Sequence, residues 1–432
     1  MNTGAGTPAE APSAGHGHGH GRSAAPASRQ AKRLLAALLI PFALAVVAGA
    51  ALLYPYGENP RGGTDLGFGQ HPVNATVQSA TASSCTQDPS GSGCATLGVL
   101  MQDGPRPDTQ IELLVPTSDP GIPRFAVGDD IVLSYAGSDP AEPSSYEVVD
   151  YQRGAPLLVL GLVFAAAVVV LGRMQGVRAL TALGISFLVL VGFVLPAILA
   201  GQAPLLVAVV GAGLIMFAAL YLTHGFSART STAVLGTLLS LALIGALSAL
   251  FAATAKLTGL DEEASGLLGA LGPGIDTRGL LLAGIVIGAL GVLDDVTVTQ
   301  TSAVWELRSA NPALSWRQLY RAGLRIGRDH VASAVNTLVL AYAGAALPLL
   351  LAYSLSGSGF QQVITTQAVA QEVVRTLVGS IGLVAAVPIT TAIAAAVAVR
   401  EPATPQPAQP SVADRIGEAA AGSAGTAILR RS

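Results

Sequence analysis

The chain has 432 residues, of which 51% are apolar and only 11% charged, with 23 Lys and Arg against 26 Asp and Glu. A soluble domain carries about 25% charged residues, so these figures, with a mean hydropathy of +0.58, exclude a single soluble domain and a disordered chain and put an integral membrane protein first. A net charge of −3 and 5% aromatics imply no nucleic-acid partner, for want of a basic footprint or a stacking platform.

Residues 1–33 form a tail of Gly, Ala, Pro, Ser and His that includes His16, His18 and His20. Such a composition cannot bury a core and predicts disorder. Capture of a soft divalent metal by these imidazoles is the alternative, but the alternating glycines give it no fixed geometry. Segment 34–53 is uncharged, follows Arg29, Lys32 and Arg33, and ends at Tyr54-Pro55-Tyr56, an aromatic pair suited to a membrane interface. Its length exceeds the 7–15 residues of a signal core, so an uncleaved anchor is expected rather than a cleaved signal peptide.

Residues 57–154 change character. Short alternating or β-branched runs at 73–82, 94–102, 109–116, 130–135 and 145–152 are separated by Gly, Pro and Asp turns. They predict a small all-β domain, an OB-like barrel or a sandwich, between the first and second spans. Cys85 and Cys94 flank a strong turn sequence, and an oxidising exterior makes a hairpin disulfide the expected state. A redox pair is the alternative, although nothing nearby would depress a thiol pKa.

Seven further segments are long and apolar enough to cross about 30 Å of hydrocarbon: 155–172, 179–200, 205–223, 231–254, 279–299, 331–353 and 377–399. With 34–53 they predict an α-helical integral membrane bundle of eight spans, with residues 401–432 as a second disordered tail. Sixteen of the 23 basic residues fall on the side of the N-terminus. Cytoplasmic loops carry that excess, so a multi-pass plasma-membrane protein with both termini cytoplasmic is expected. Between spans six and seven, Ser315 with Gln318 has the form of a capping box. Arg317, Arg321, Arg325 and Arg328 then recur at helical spacing, which predicts an interfacial helix turned to anionic headgroups. The same residues also serve simply as the charge excess that sets topology.

Asp294 and Asp295 are the only charged residues within the eight segments. An Asp at mid-helix costs about 2.5–3.5 kcal/mol on the insertion scale, so both should face protein or a water-filled cavity. Gly284, Gly288, Gly291, Asp295, Thr299, Ser302 and Glu306 lie three or four residues apart and form one stripe. The expectation is that its glycines admit a neighbouring helix. Asp295, with Asp294, Thr299 and Ser302, would then be a proton- or cation-binding set. The alternative is that Asp295 reaches water or caps a helix break near the cytoplasmic surface. His224-Gly225 has the form of a helix C-terminal cap, and Asn336 could hydrogen-bond across the bundle; both are secondary candidates. No metal-ligand cluster, P-loop or nucleophile motif accompanies them, so no catalytic residue, cofactor or enzymatic role is expected.

Three blocks in order, His224–Thr237, Gly288–Val296 and Gly327-Arg328-Asp329-His330 continuing through Asn336–Gly344, resemble the YibE/F-like family of bacterial membrane proteins over about residues 50–400. The resemblance implies a multi-pass membrane protein without an established activity, and it places the family's acidic position at Asp295. Two functions follow as expectations: a secondary-transporter-like permease for an unknown small solute or ion, built on an intramembrane Asp, or a non-transporting scaffold that binds a protein partner through its exterior β-domain. An internal duplication would favour transport; none is evident in the seven later spans.

Overall fold

The computed structural model describes residues 29–57, 71–84, 93–117, 123–260, 276–355, 357 and 359–401. The two tails with His16, His18 and His20, and Cys85, lie outside the described residues.

The β-domain is a curled five-stranded antiparallel sheet: β1 His71–Ser84, β2 Gly93–Met101, β3 Gln110–Pro116, β4 Asp130–Tyr135 and β5 Tyr146–Tyr151, in the order β3-β2-β1-β4-β5. Each strand falls within two residues of its expected place. Alternate residues supply the core: Val73, Ala75 and Val77 from β1, Leu97, Val99 and Met101 from β2, Ile131 and Leu133 from β4 are all buried together. Period-two burial of this kind fixes register, since a one-residue slip would turn the apolar set outward. Long β1 pairs with β4 through its first half and with β2 through its second, and a bulge between Val77 and Ser79 lets it curl. The curl brings edge strand β3 up to edge strand β5. Tyr146 stacks on Tyr135 at 5.0 Å, and burial pushes its phenol above the usual range. Cys94 stands opposite Ser83 and is disulfide-bonded.

The chain is mostly helical. After α1 (Arg29–Leu53) and the sheet come α2 (Gly154–Val189), a π turn at Leu190–Val194, α3 (Leu195–Leu199), α4 (Pro204–His224), α5 (Ala228–Thr254), α6 (Thr277–Ala310), α7 (Trp316–Ala345), α8 (Leu347–Leu355), α9 (Phe360–Ile364) and α10 (Gln367–Ala398). Among the described residues six helices are long and apolar enough to cross a membrane, or seven if α7 and α8, bent by 56°, count as one span. Eight spans were expected, and the helices do not divide one to a span, because Gly154–Leu199 joins two of the expected segments across a kink. With Gly154–Leu199 taken as one element there are nine helices among the described residues.

Two local causes account for the difference. Gly154–Leu199 contains both spans 155–172 and 179–200, and its 46 residues would reach about 69 Å if straight. It is not straight, because Arg173 takes φ 49° and ψ −130°. A Cβ on Gly176 would lie 2.3 Å from the carbonyl oxygen of Val168, whereas residues eight apart in a continuous helix are separated by about 12 Å. The chain therefore turns sharply at Arg173, between the two expected spans. The second cause is at 316–345. The interfacial helix and the first part of span seven are one helix, not two, because the polar run Arg328-Asp329-His330 interrupts hydropathy without interrupting the backbone ladder. Its start is as expected: the Ser315 N–H donates to Gln318 Oε1 at 2.9 Å. The bend comes later, at Ala346.

Helix α6 sits at the centre and packs against α4, α5, α7 and α10. Where α5 and α10 meet, glycine sets the spacing: a Cβ on Gly382 would come within 2.1 Å of Ile244 Cγ1, and one on Gly236 within 2.4 Å of Thr390 Oγ1. Overpacking of this kind costs about 1–3 kcal/mol. Gly382→Ala should therefore lower the unfolding midpoint of the detergent-solubilised protein. Gly291→Ala, where a Cβ meets nothing within 4 Å, should leave it unchanged or raise it through helix propensity. Equal effects of the two would contradict this packing.

Candidate functional site

Two adjacent acids on a helix point about 100° apart, so α6 can enclose only one of them. It encloses Asp294. Asp295 is exposed, as are Gly284, Gly288, Gly291 and Glu306, while Thr299 and Ser302 are half-buried. The stripe expected to be a packing seam is thus the least covered face of the helix. A Cβ on Gly284 would find only Arg375 Nη2, at 4.0 Å; one on Gly288 would meet the Tyr342 hydroxyl at 2.7 Å. The physical reason is contact area. Glycines and one acid offer a neighbour few atoms, whereas Leu281, Leu282, Ile285, Ala289 and Leu293 offer many and are buried against α5 and α10. Asp294 is carried inward on the flank of that face.

Around Asp294 the surroundings are polar but without a cation. The Thr237 side chain of α5 stands beside the carboxyl, and its hydroxyl is 2.8 Å from that of Thr297 on α6. Thr297 Oγ1 donates to the Asp294 carbonyl oxygen at 3.2 Å. Asp294 Oδ1 is itself buried and has no hydrogen-bond partner among the described residues. The same is true of Thr301 Oγ1 on α6, Ser248 Oγ on α5, and Ser380 Oγ and Thr390 Oγ1 on α10. Burying such groups unpaired costs about 1–3 kcal/mol each. On α5, Thr237, Ser240 and Ser248 lie on one helical face and are all buried. Ser240 returns its proton to Gly236 O at 2.8 Å. Together these groups make a polar seam between α5, α6 and α10, with the carboxyl near the middle of the 34-residue α6.

The seam is closed at the end of the bundle where α6 finishes and α7 begins. Gln300 Nε2 donates to Gly323 O on α7 and to Thr391 Oγ1 on α10, both at 2.7 Å. Gly327 makes room for it, since a Cβ there would lie 2.5 Å from Gln300 Oε1. Near the start of α10, Arg375 pairs with Glu372 at 2.7 Å.

The other expected residues are placed as follows. His224 ends α4 and is exposed; Gly225 follows with φ 74° and donates its N–H to Tyr221 O at 2.9 Å, which is a helix cap as read. Asn336 is exposed on α7 and so does not reach across the bundle. Arg317, Arg321, Arg325 and Arg328 are exposed on the side of α7 away from buried Leu319, Gly323 and Gly327. Among the described residues no group of three or more His, Cys, Asp and Glu could hold a metal ion. Reasoning from charge alone missed Thr237, Ser240, Ser248, Gln300 and Thr390. The signal for the α5 set was present as hydroxyl residues recurring at helical spacing in an apolar segment.

The model of one family, described as YibE/F-like protein, matches residues 160–400. No curated protein and no solved structure matches the chain.

Interhelical hydrogen bonds in membrane proteins contribute about 0.6 kcal/mol each, up to about 1.7. Gln300→Leu, which removes two of them, should therefore lower the detergent unfolding midpoint by several degrees. Thr299→Val on the open face should not. An unchanged midpoint for Gln300→Leu would contradict the closure described.

Proposed function

The chain belongs to the YibE/F-like family, and from that premise we propose that it is a multi-pass plasma-membrane permease that binds a proton or a small cation at Asp294. Both termini are cytoplasmic in this reading, which the basic residues of the loops support. One observation carries it: a carboxyl oxygen buried at mid-helix with no partner among the described residues, beside the hydroxyls of Thr237 and Thr297. A carboxyl in such a place is expensive, and among the described residues no Arg or Lys pairs with it. A proton or a cation held by carboxyl and hydroxyl oxygens would do so. The buried hydroxyls of Ser240, Ser248, Ser380 and Thr390 mark the route on either side. Asp295, on the open face, is assigned no binding role.

The β-domain lies outside the matched range. Its strand order and the approach of β3 to β5 fit an OB-like barrel, a fold that binds ligands on its sheet face and loops. A scaffold that works through this domain is the second reading.

Purified full-length protein in liposomes with a trapped pH dye, under an imposed potassium potential, separates the two. The permease reading predicts dissipation of a proton or sodium gradient faster than in empty vesicles. Asp294→Asn should slow it about tenfold or more and Asp295→Asn should change it little. Unchanged flux in Asp294→Asn would reject the assignment. If wild-type vesicles matched empty ones, and deletion of 60–150 abolished function in cells while Asp294→Asn did not, the scaffold would stand instead.

A further inference from the structure

At the end of the bundle where α1 and α7 begin and α10 finishes, the helices leave a crevice of about 420 Å³. Its walls are Leu34 and Leu38 of α1, Leu235 of α5, and Ile393 and Val397 of α10. They offer water no hydrogen-bond partners, and an apolar space of this kind stays dry. In a bilayer the filling available to it is hydrocarbon.

The mouth has the opposite character. Trp316 and Arg400 stand there. The indole N–H donates to Ala392 O at 3.1 Å and the ring stacks on Tyr320 at 5.5 Å, so Trp316 is fixed although it is 40% exposed. Arg400 is exposed, and its Nη1 donates to Ala396 O at 2.8 Å. That bond holds one of the five guanidinium N–H donors at the mouth of the crevice. Lys32 and Arg33 directly precede Leu34, and Arg317 follows Trp316; all three are exposed. Beside them among the described residues, Glu401 accepts from the Trp305 indole at 2.9 Å. Burial pushes its carboxyl above the usual range, against the pull of that hydrogen bond and of the charges of Arg229 and Lys32. Arg229 is engaged with Glu306 at 3.4 Å.

We infer that this crevice is a binding site for one anionic phospholipid, with an acyl chain between α1, α5 and α10 and the phosphate on Arg400 at the Trp316 rim. The two halves of the site match the two halves of the ligand. A free phosphate would use only the rim and leave the walls empty. An uncharged lipid would fill the walls and leave the net positive charge of the mouth unmatched. The site does not depend on transport, because none of its residues belongs to the seam around Asp294.

The chain has two tryptophans, so Trp305→Phe leaves Trp316 as the sole fluorophore, placed at the mouth. Full-length Trp305→Phe protein in phosphatidylcholine nanodiscs would carry a small fraction of dibrominated phosphatidylglycerol or, separately, dibrominated phosphatidylcholine. Quenching should give the anionic lipid an apparent affinity about fivefold higher. Arg400→Gln should remove that preference, and Ala396→Phe, which fills the crevice and removes none of the cations, should reduce quenching by both lipids. Each variant is first checked for monodisperse elution, and the comparison of the two lipids in the Trp305→Phe protein stands even if a variant fails. Equal quenching by both lipids would overturn the inference, as would a preference that survives Arg400→Gln. Loss of the preference on addition of millimolar glycerol phosphate would assign the rim to a soluble phosphate instead and overturn the lipid.

Discussion

A helix with two acidic residues side by side can turn only one of them toward its packed neighbours, because adjacent side chains point about 100° apart. That constraint organises the bundle. Helix α6 resolves it by contact area, since the leucine-rich face makes the neighbours and Asp294 travels with it while Asp295 stays outside. Once α6 is oriented in this way, its hydroxyl and amide groups fall into place. Thr297 meets Thr237 on α5, and Gln300 meets α7 and α10. The glycines that set the packing are Gly236, Gly323, Gly327 and Gly382 on the partner helices and Gly288 on α6 itself, each facing a side chain that a Cβ would displace.

Much of this was legible in the sequence, for identifiable reasons. The five strands were visible because alternation has a period of two and each run is bounded by turn residues. The apolar helices were visible because charge is almost absent from them. The capping box at Ser315 and the cap at His224-Gly225 depend on residues a few positions apart, so local pattern sufficed. The rest depends on facing. Periodicity placed Gly284, Gly288, Gly291 and Asp295 on one stripe but could not say which way the stripe turned, and small residues read equally well as a close-packed seam or as an open face. The bend at Arg173 and the continuity of α7 through Arg328-Asp329-His330 likewise turn on backbone dihedrals and tertiary contact, which hydropathy does not report.

The molecule then divides its chemistry by position. The curled sheet keeps its apolar side chains in one core and presents loops and edges outward. The bundle holds a carboxyl beside the Thr237 hydroxyl, with one oxygen unpartnered among the described residues, and several buried hydroxyls. The end that carries the first and last helices gathers the cations, over an apolar crevice at Arg400 and along the exposed side of α7. The family-matched range covers the bundle from residue 160 to residue 400 and leaves out the sheet and α1.

The central claim, that α6 turns Asp294 toward α5, is tested most directly by cross-linking. With a protease site inserted between residues 260 and 276, the double variant Thr237→Cys with Thr297→Cys should form a disulfide on mild oxidation, because the native hydroxyl oxygens are 2.8 Å apart and a disulfide needs Cα atoms within about 7 Å. The cleaved halves should then migrate together until reduced. If they separate without reductant, while the pairing of Thr237→Cys with Thr299→Cys on the open face holds them together, α6 is turned the other way and Asp295 is the enclosed acid.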